Sequence, residues 1–368
     1  MRLQLAIAAA LLLASVGTAS ADGTVSLRGV YYKERATRVI QPMLDGMFEV
    51  GARGLVTTHL LVDSITSAST SAGAVDATGF NEKRYEGGLS YAHLLGSLKL
   101  AGEGKYSSEP DYGSLYLGGR AELELAQKNT TLGVGGGISK DRIGTTTDGG
   151  LGALTLECAP GETPRAECDL TTLSVYASVT QIVSRRALVG LSYDLSLQDG
   201  FTSNPYRLAI AANMLVRERH PTDRRRNAAA LSARYHIAET GTTLVAAYRY
   251  YRDTWKIRGH TPELRAIQDI ANTIDASFRY RYHTQSAAFF YQERYMEEDP
   301  DYRSDDVKLS KFRTHTLESK LGILGETFGL GGRWAAARFE GILSYVIQQN
   351  RFGNAIVAHF ALTVPFEY

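Results

Sequence analysis

The sequence predicts an all-β chain that closes into a transmembrane antiparallel up-and-down β-barrel of about 18 strands, with 16 the alternative. Three observations carry that expectation: apolar and polar residues alternate with period two along nearly the whole chain, the final strand-like segment runs to the end of the sequence, and the first residues read as a secretory leader. Alternation is the pattern of a sheet with one face in hydrocarbon and the other in water.

At the start, Arg2 precedes an apolar run from Leu3 to Val16, and Ala19 and Ala21 sit three and one positions before an expected cleavage ahead of Asp22. The run is too short to span a bilayer and fits the core of a signal peptide. Residues 1–21 are therefore read as the signal peptide and 22–368 as one barrel domain. Past the leader no window approaches the ~18 consecutive apolar residues of a spanning helix, so any crossing must be made by strands.

Strands are expected near 24–33, 39–50, 53–66, 80–93, 96–107, 113–126, 129–141, 170–182, 186–198, 206–217, 227–237, 241–252, 256–268, 272–283, 285–296, 313–324, 334–348 and 354–368. Within 186–198, Ala187, Val189, Leu191, Tyr193, Leu195 and Leu197 face one way, while Gly190, Ser192, Asp194, Ser196 and Gln198 face the other. In 272–283 the apolar face of Ala276, Phe278, Tyr280 and Tyr282 opposes Asp275, Ser277, Arg279, Arg281 and His283. A soluble sandwich would leave those charges stranded in its core. The last strand presents Phe360, Leu362, Val364, Phe366 and Tyr368 on one face, an ending that resembles the signal read by the barrel assembly machinery of bacterial outer membranes.

Barrels of this kind alternate short turns on the side of the termini with longer loops outside. Leu94-Leu95, Gln127-Lys128, Ser184-Arg185 and His283-Thr284 read as tight turns, and the long connections near 67–79, 142–169 and 297–312 as external. Glu218 to Arg226 falls on the periplasmic side of this count. A slip of one hairpin would turn Arg219, Arg224, Arg225 and Arg226 outward, towards lipopolysaccharide phosphates.

Cys158 and Cys168 flank a polar loop segment, and in the oxidising compartment beyond a signal peptide they are expected to form a structural disulfide. The charges expected in the lumen form two walls. Arg207, Arg234, Arg249, Arg279 and Arg281 make a basic one; Glu86, Glu103, Glu122 and Glu124, with Arg84, Lys99 and Arg120, make a mixed and partly acidic one. Opposed walls set a transverse field that favours anions or oriented zwitterions; mutual neutralisation in a merely polar interior is the alternative.

The composition excludes other classes. With Arg2 removed, 39 basic residues balance 39 acidic ones, so there is no basic excess for nucleic acid. The acidic stretch from Glu297 to Asp306 clusters hard oxygen ligands that suit calcium but lacks the alternation and glycine of an EF-hand loop; a solvated loop is the leading reading and a calcium site the alternative. His236, His260, His283 and His359 are scattered, Ser64 lacks a nucleophile motif, and the glycines from Gly133 to Gly137 lie in a strand without a following Lys-Ser/Thr. No enzyme, metal or cofactor is expected.

The segments RGVYYKERATRVIQP (28–42), LLVDSITSAS (60–69), YSSEPDY (106–112), GHTPELR (259–265) and LSKFRTHT (309–316) resemble a bacterial family of uncharacterised outer-membrane β-barrel proteins defined as a domain of unknown function. The resemblance implies a Gram-negative outer-membrane location. It also implies genomic company with periplasmic flavin-attachment lipoproteins. Three functions are weighed: a passive pore or transport channel for small polar or anionic solutes, a structural or scaffolding barrel that binds a periplasmic partner in an extracytoplasmic redox system, and, least favoured because no Ser–His pair is evident, a barrel enzyme of the phospholipase type. The partners expected are outer-membrane lipid, lipopolysaccharide and the assembly machinery.

Overall fold

The computed structural model describes residues 22–35, 37–67, 80–145 and 155–366. The signal peptide expected over 1–21, the loop 68–79 and Tyr368 lie outside them. Sixteen antiparallel strands form a closed barrel, and two further strands form a separate hairpin. In chain order the barrel strands are β1 (Gly23–Lys33), β2 (Thr37–Val50), β3 (Gly54–Ser67), β4 (Phe80–Leu95), β5 (Leu98–Ser108), β6 (Tyr112–Leu125), β7 (Thr130–Ile143), β8 (Cys168–Ser184) and β9 (Ala187–Gly200). After the hairpin of β10 (Leu208–Ala211) and β11 (Met214–Arg217) come β12 (Asp223–Ile237), β13 (Thr242–Asp253), β14 (Arg258–Ala271), β15 (Ile274–Gln285), β16 (Phe312–Leu324), β17 (Arg338–Gln348) and β18 (Ala355–Phe366). No helix of the described residues is long and apolar enough to cross a membrane.

The alternation read from the sequence sets the two faces. Leu191, Leu231, Leu264 and Leu343 stand more than half exposed on the outside, while their chain neighbours point into the lumen. The barrel closes where β18 pairs with β1 from Gly23↔Phe366 to Lys33↔Ile356, so the sheet has no free edge. Phe360, Leu362, Val364 and Phe366 lie on the outer face of this seam, and the Phe366 ring lies 5.9 Å from that of Phe48.

Sixteen strands replace the eighteen counted because two expected strands are not wall. The segment 206–217 folds on itself: Ala212 and Asn213 take left-handed backbone angles (φ 46° and 65°), the two-residue turn that lets β10 and β11 pair. The segment 285–296 leaves the wall because β15 continues through His283 and Thr284, read as a turn, to Gln285. Ala288 and Phe290 are then drawn into an apolar cluster with Trp255, Ile257 and Leu309. The two miscounts cancel beyond residue 296 but invert the direction of everything between them. Residues 201–222 consequently join the same rim as 34–35, 144–145, 155–167 and 286–311, opposite the start of β1 and the end of β18.

At that rim the loops interlock. Cys158 and Cys168 form a disulfide (S–S 1.98 Å) that ties the loop before β8 to the wall, with Leu156 and Phe201 packed around it. Arg217 donates to the Thr155 carbonyl (2.6 Å), Arg219 pairs with Glu157 (3.0 Å) and Asp299 (3.4 Å), and Arg351 reaches Asp305 (3.1 Å). Tyr206 donates to Asp111, carrying the chain between β9 and β12 across to the β5–β6 turn.

Candidate lumen site

Cross-strand register builds the site as two rows on the inner wall. One runs Glu103↔Gly118↔Gly137↔Ser174↔Ser196↔Arg226↔Asp253 through seven strands. The next runs Ala101↔Arg120↔Gly135↔Tyr176↔Asp194↔Ala228↔Tyr251. Parts of both rows, Glu103, Ser174, Ser196 and Arg226 of the first and Arg120, Tyr176, Asp194, Ala228 and Tyr251 of the second, line a cavity of about 660 Å³ together with Tyr116, Arg249, Gln285 and Lys308.

The inward glycines are seats for rings. A Cβ at Gly137 would stand 2.5 Å from the Tyr116 hydroxyl and one at Gly135 2.4 Å from the Tyr176 ring, so both tyrosines lie flat against the wall and not across the bore. The Tyr116 hydroxyl donates to Glu103 (3.3 Å).

The charge around the bore is uneven. On the arc from β14 to β3, most inward positive groups are neutralised: Arg279 by Glu318 and Glu263 (3.6 Å), Lys320 by Glu340 (2.5 Å), Arg338 by Asp275 and Glu340 (2.9 Å), Arg28 by Asp45 (2.6 Å). Around the cavity the pattern changes. Arg224 is neutralised by Asp253 (2.5 Å) and stacks on Trp255 (3.9 Å), but Arg120, Arg226, Arg249 and Lys308 make no ion pair among the described residues. Glu103 and Asp194 are the carboxylates that line the same space, so cations predominate.

The residues singled out in the sequence are only partly brought together. Arg234, Arg249 and Arg281 face the lumen on β12, β13 and β15 without ion pairs among the described residues, whereas Arg279 has two carboxylate partners. Arg207 is not on the wall: it precedes β10 in the loop fold, buried against Asp306. Glu86 lies 3.7 Å from His59, Glu122 3.8 Å from Lys99 and Glu124 3.3 Å from Lys128. Strand order puts β5, with Glu103, across the bore from β15, with Arg279 and Arg281. Arg226, Lys308, Tyr116 and Tyr176 were missed; Arg224 and Arg226 continue the inward alternation of β12, which begins four residues before the expected strand.

Behind the mouth sits a buried polar cluster. Glu218 accepts from Ser304 and from the Asn204 backbone (3.1 Å) and faces His220 Nε2 at 3.0 Å. Burial would push its carboxyl up; the hydrogen bond and charge of His220, with Arg207 and Ser304, outweigh that and hold it below the usual carboxylate range. The acidic loop is likewise answered by arginines: Asp299 by Arg303 and Arg219, Asp305 by Arg351, Asp306 by Arg207. Among the described residues no three His, Cys, Asp or Glu side chains gather as a metal site.

Solved structures share the architecture. A bacterial polysaccharide outer membrane secretin is 8% identical, with a TM-score of 0.52 over 94% of this chain and 98% of that one. OccD3 (OpdP) of Pseudomonas aeruginosa is 9% identical, with a TM-score of 0.51 over 94% of this chain and 91% of that one. At such identities the likeness concerns the fold. No curated protein matches the chain in sequence. One family profile does, over residues 75–340, and the chain accordingly belongs to the family described as protein of unknown function (DUF3570).

Proposed function

We propose that the protein is a passive outer-membrane pore for small polar solutes with a preference for anions, reached by secretion through residues 1–21 and insertion guided by the β18 ending. The observation that carries the reading is the cavity where Arg120, Arg226, Arg249 and Lys308 face the bore without carboxylate partners among the described residues. Unpaired guanidinium groups in a narrow aqueous space raise the local concentration of anions and present forked donors to carboxylate or phosphate oxygens. Glu103 and Asp194 across the same space favour solutes that carry a donor group as well as a negative charge.

Single-channel conductance of the refolded chain 22–368 in planar bilayers tests it. Steady conductance with anion preference is expected. The Arg226→Ala, Arg249→Ala variant should conduct with that preference reduced about threefold or more, whereas the Arg279→Ala, Glu318→Ala variant, which removes a mutually neutralised pair and leaves the net charge unchanged, should change it little. A silent bilayer bearing folded protein would overturn the pore and support the scaffolding barrel, for which the interlocked loops speak; a stably co-purifying protein partner would then be expected.

A further inference from the structure

Outside the barrel, just below the long-loop rim, Arg225 of β12, Arg252 of β13, Arg258 of β14 and Lys256 of the intervening turn line a shallow cavity of about 570 Å³. All four side chains are exposed, and none makes an ion pair among the described residues. Asp253, the carboxylate among the lining residues, has its side chain fully buried on the opposite face, held by Arg224 (2.5 Å), the Tyr251 hydroxyl (2.8 Å) and the Ile257 backbone (2.9 Å). Arg252 and Arg258 stand directly opposite each other in the ladder. Like charges so placed repel and call for a counter-charge between them.

The framework under these charges is stiff. The Thr254 hydroxyl accepts from the Arg225 backbone (3.1 Å), while the Ser286 hydroxyl accepts from the Arg258 backbone (2.9 Å) and donates to the Lys256 carbonyl (3.1 Å). Two residues further along the same outer faces, about 7 Å towards the middle of the barrel, stand Asn227, Tyr250 and His260. Tyr193 donates to Asn227 (2.7 Å), Tyr248 bonds His260 Nδ1 (2.6 Å), and Tyr250 packs on the His260 ring (5.2 Å). Polar-tipped aromatics mark the level where hydrocarbon gives way to headgroups. Arginines one step above that belt are at headgroup phosphate depth, where a charge on the lipid face costs least.

We infer that this cluster is a binding site for the phosphorylated glycolipid of the outer leaflet, with Arg252 and Arg258 clamping one phosphate and Arg225 and Lys256 a second. Four cations without a carboxylate suit a headgroup bearing two phosphates better than a phospholipid bearing one, and guanidinium forks match phosphate oxygens. The site rests on the outer-membrane reading with the long loops outward, and is independent of what passes through the lumen.

The test is binding of diphosphoryl lipid A to the refolded chain 22–368 in detergent micelles, with monophosphoryl lipid A and phosphatidylglycerol as comparators. Diphosphoryl lipid A should bind about tenfold or more tightly than either. The Arg225→Ala, Arg252→Ala, Arg258→Ala variant should lose about tenfold or more while its conductance is unchanged, and lysines at the three positions, which keep the charge but not the fork, should fall between the wild type and the alanine variant. Should the triple variant fail to fold, Lys256→Glu in the exposed turn must weaken binding. Unchanged affinity in the variants overturns the site, and equal affinity for phosphatidylglycerol overturns the glycolipid as its occupant; neither result would touch the pore reading.

Discussion

Glu218 shows why single residues resist reading from sequence. In the chain it is one acid beside the basic run Arg219 to Arg226; in the fold its side chain is 1% exposed, between His220, Ser304 and the Asn204 backbone. Its carboxyl titrates lower folded than unfolded, so its stabilising contribution is complete above the unfolded value of about 4.3 and is lost as pH falls towards the folded value. The His220 ring packs on Trp255 (5.0 Å), so Trp255 fluorescence reports on this cluster. As pH falls below about 4.3 that signal should shift in the wild type, and in Glu218→Gln the shift should flatten. An unaltered transition in the variant would assign the pH response to other groups. Arg226 was illegible for a related reason: the run of charges read as a turn, because arginine lining a bore and arginine in solvent look alike until the strand's start is known.

At the scale of elements, legibility tracked the length of the alternating run. Strands of eleven to seventeen residues, such as β9 with Leu191, Tyr193 and Leu197 outward, announced themselves. The segments 206–217 and 285–296 alternate too, but one bends at Asn213 and the other serves the Trp255 cluster, and nothing in a period of two separates a wall strand from a loop that happens to share it. The glycine-rich β7 conveyed the strand but not its purpose, which lies in rings supplied by β6 and β8. Gly137→Ala should therefore cost about 1–3 kcal/mol by displacing the Tyr116 ring and narrow the bore there; lowered thermal stability with reduced conductance is the expected pair of results. Cys158→Ser should leave the barrel intact while exposing residues 155–167 to proteolysis, since the disulfide ties that loop to the first residue of β8.

For the whole molecule, closure is the property to check. Unboiled protein should migrate faster on a denaturing gel than boiled protein, and identical migration would contradict a closed sixteen-strand sheet. The architecture was legible because a sheet between hydrocarbon and water must alternate, a constraint that acts on every strand alike. The lumen was less legible because which charges pair depends on register. Arg279 and Arg249 look equivalent in sequence, yet Arg279 has Glu318 opposite it in the ladder and Arg249 has Ala230 and Thr261.

The β1–β18 seam also dictates an order of events. Fifteen of the sixteen pairings join wall strands that follow one another along the chain, and these can zip as hairpins. The remaining one brings together residues as distant as Ser26 and Thr363, whose hydroxyls meet at 2.8 Å. Closure must therefore wait for the last strand to arrive, and the loop-closure entropy of nearly the entire chain falls on one late step. Until then β1 and β17 present two bare edges, so a chain cut before β18 should accumulate as an open, aggregation-prone sheet rather than as a smaller barrel.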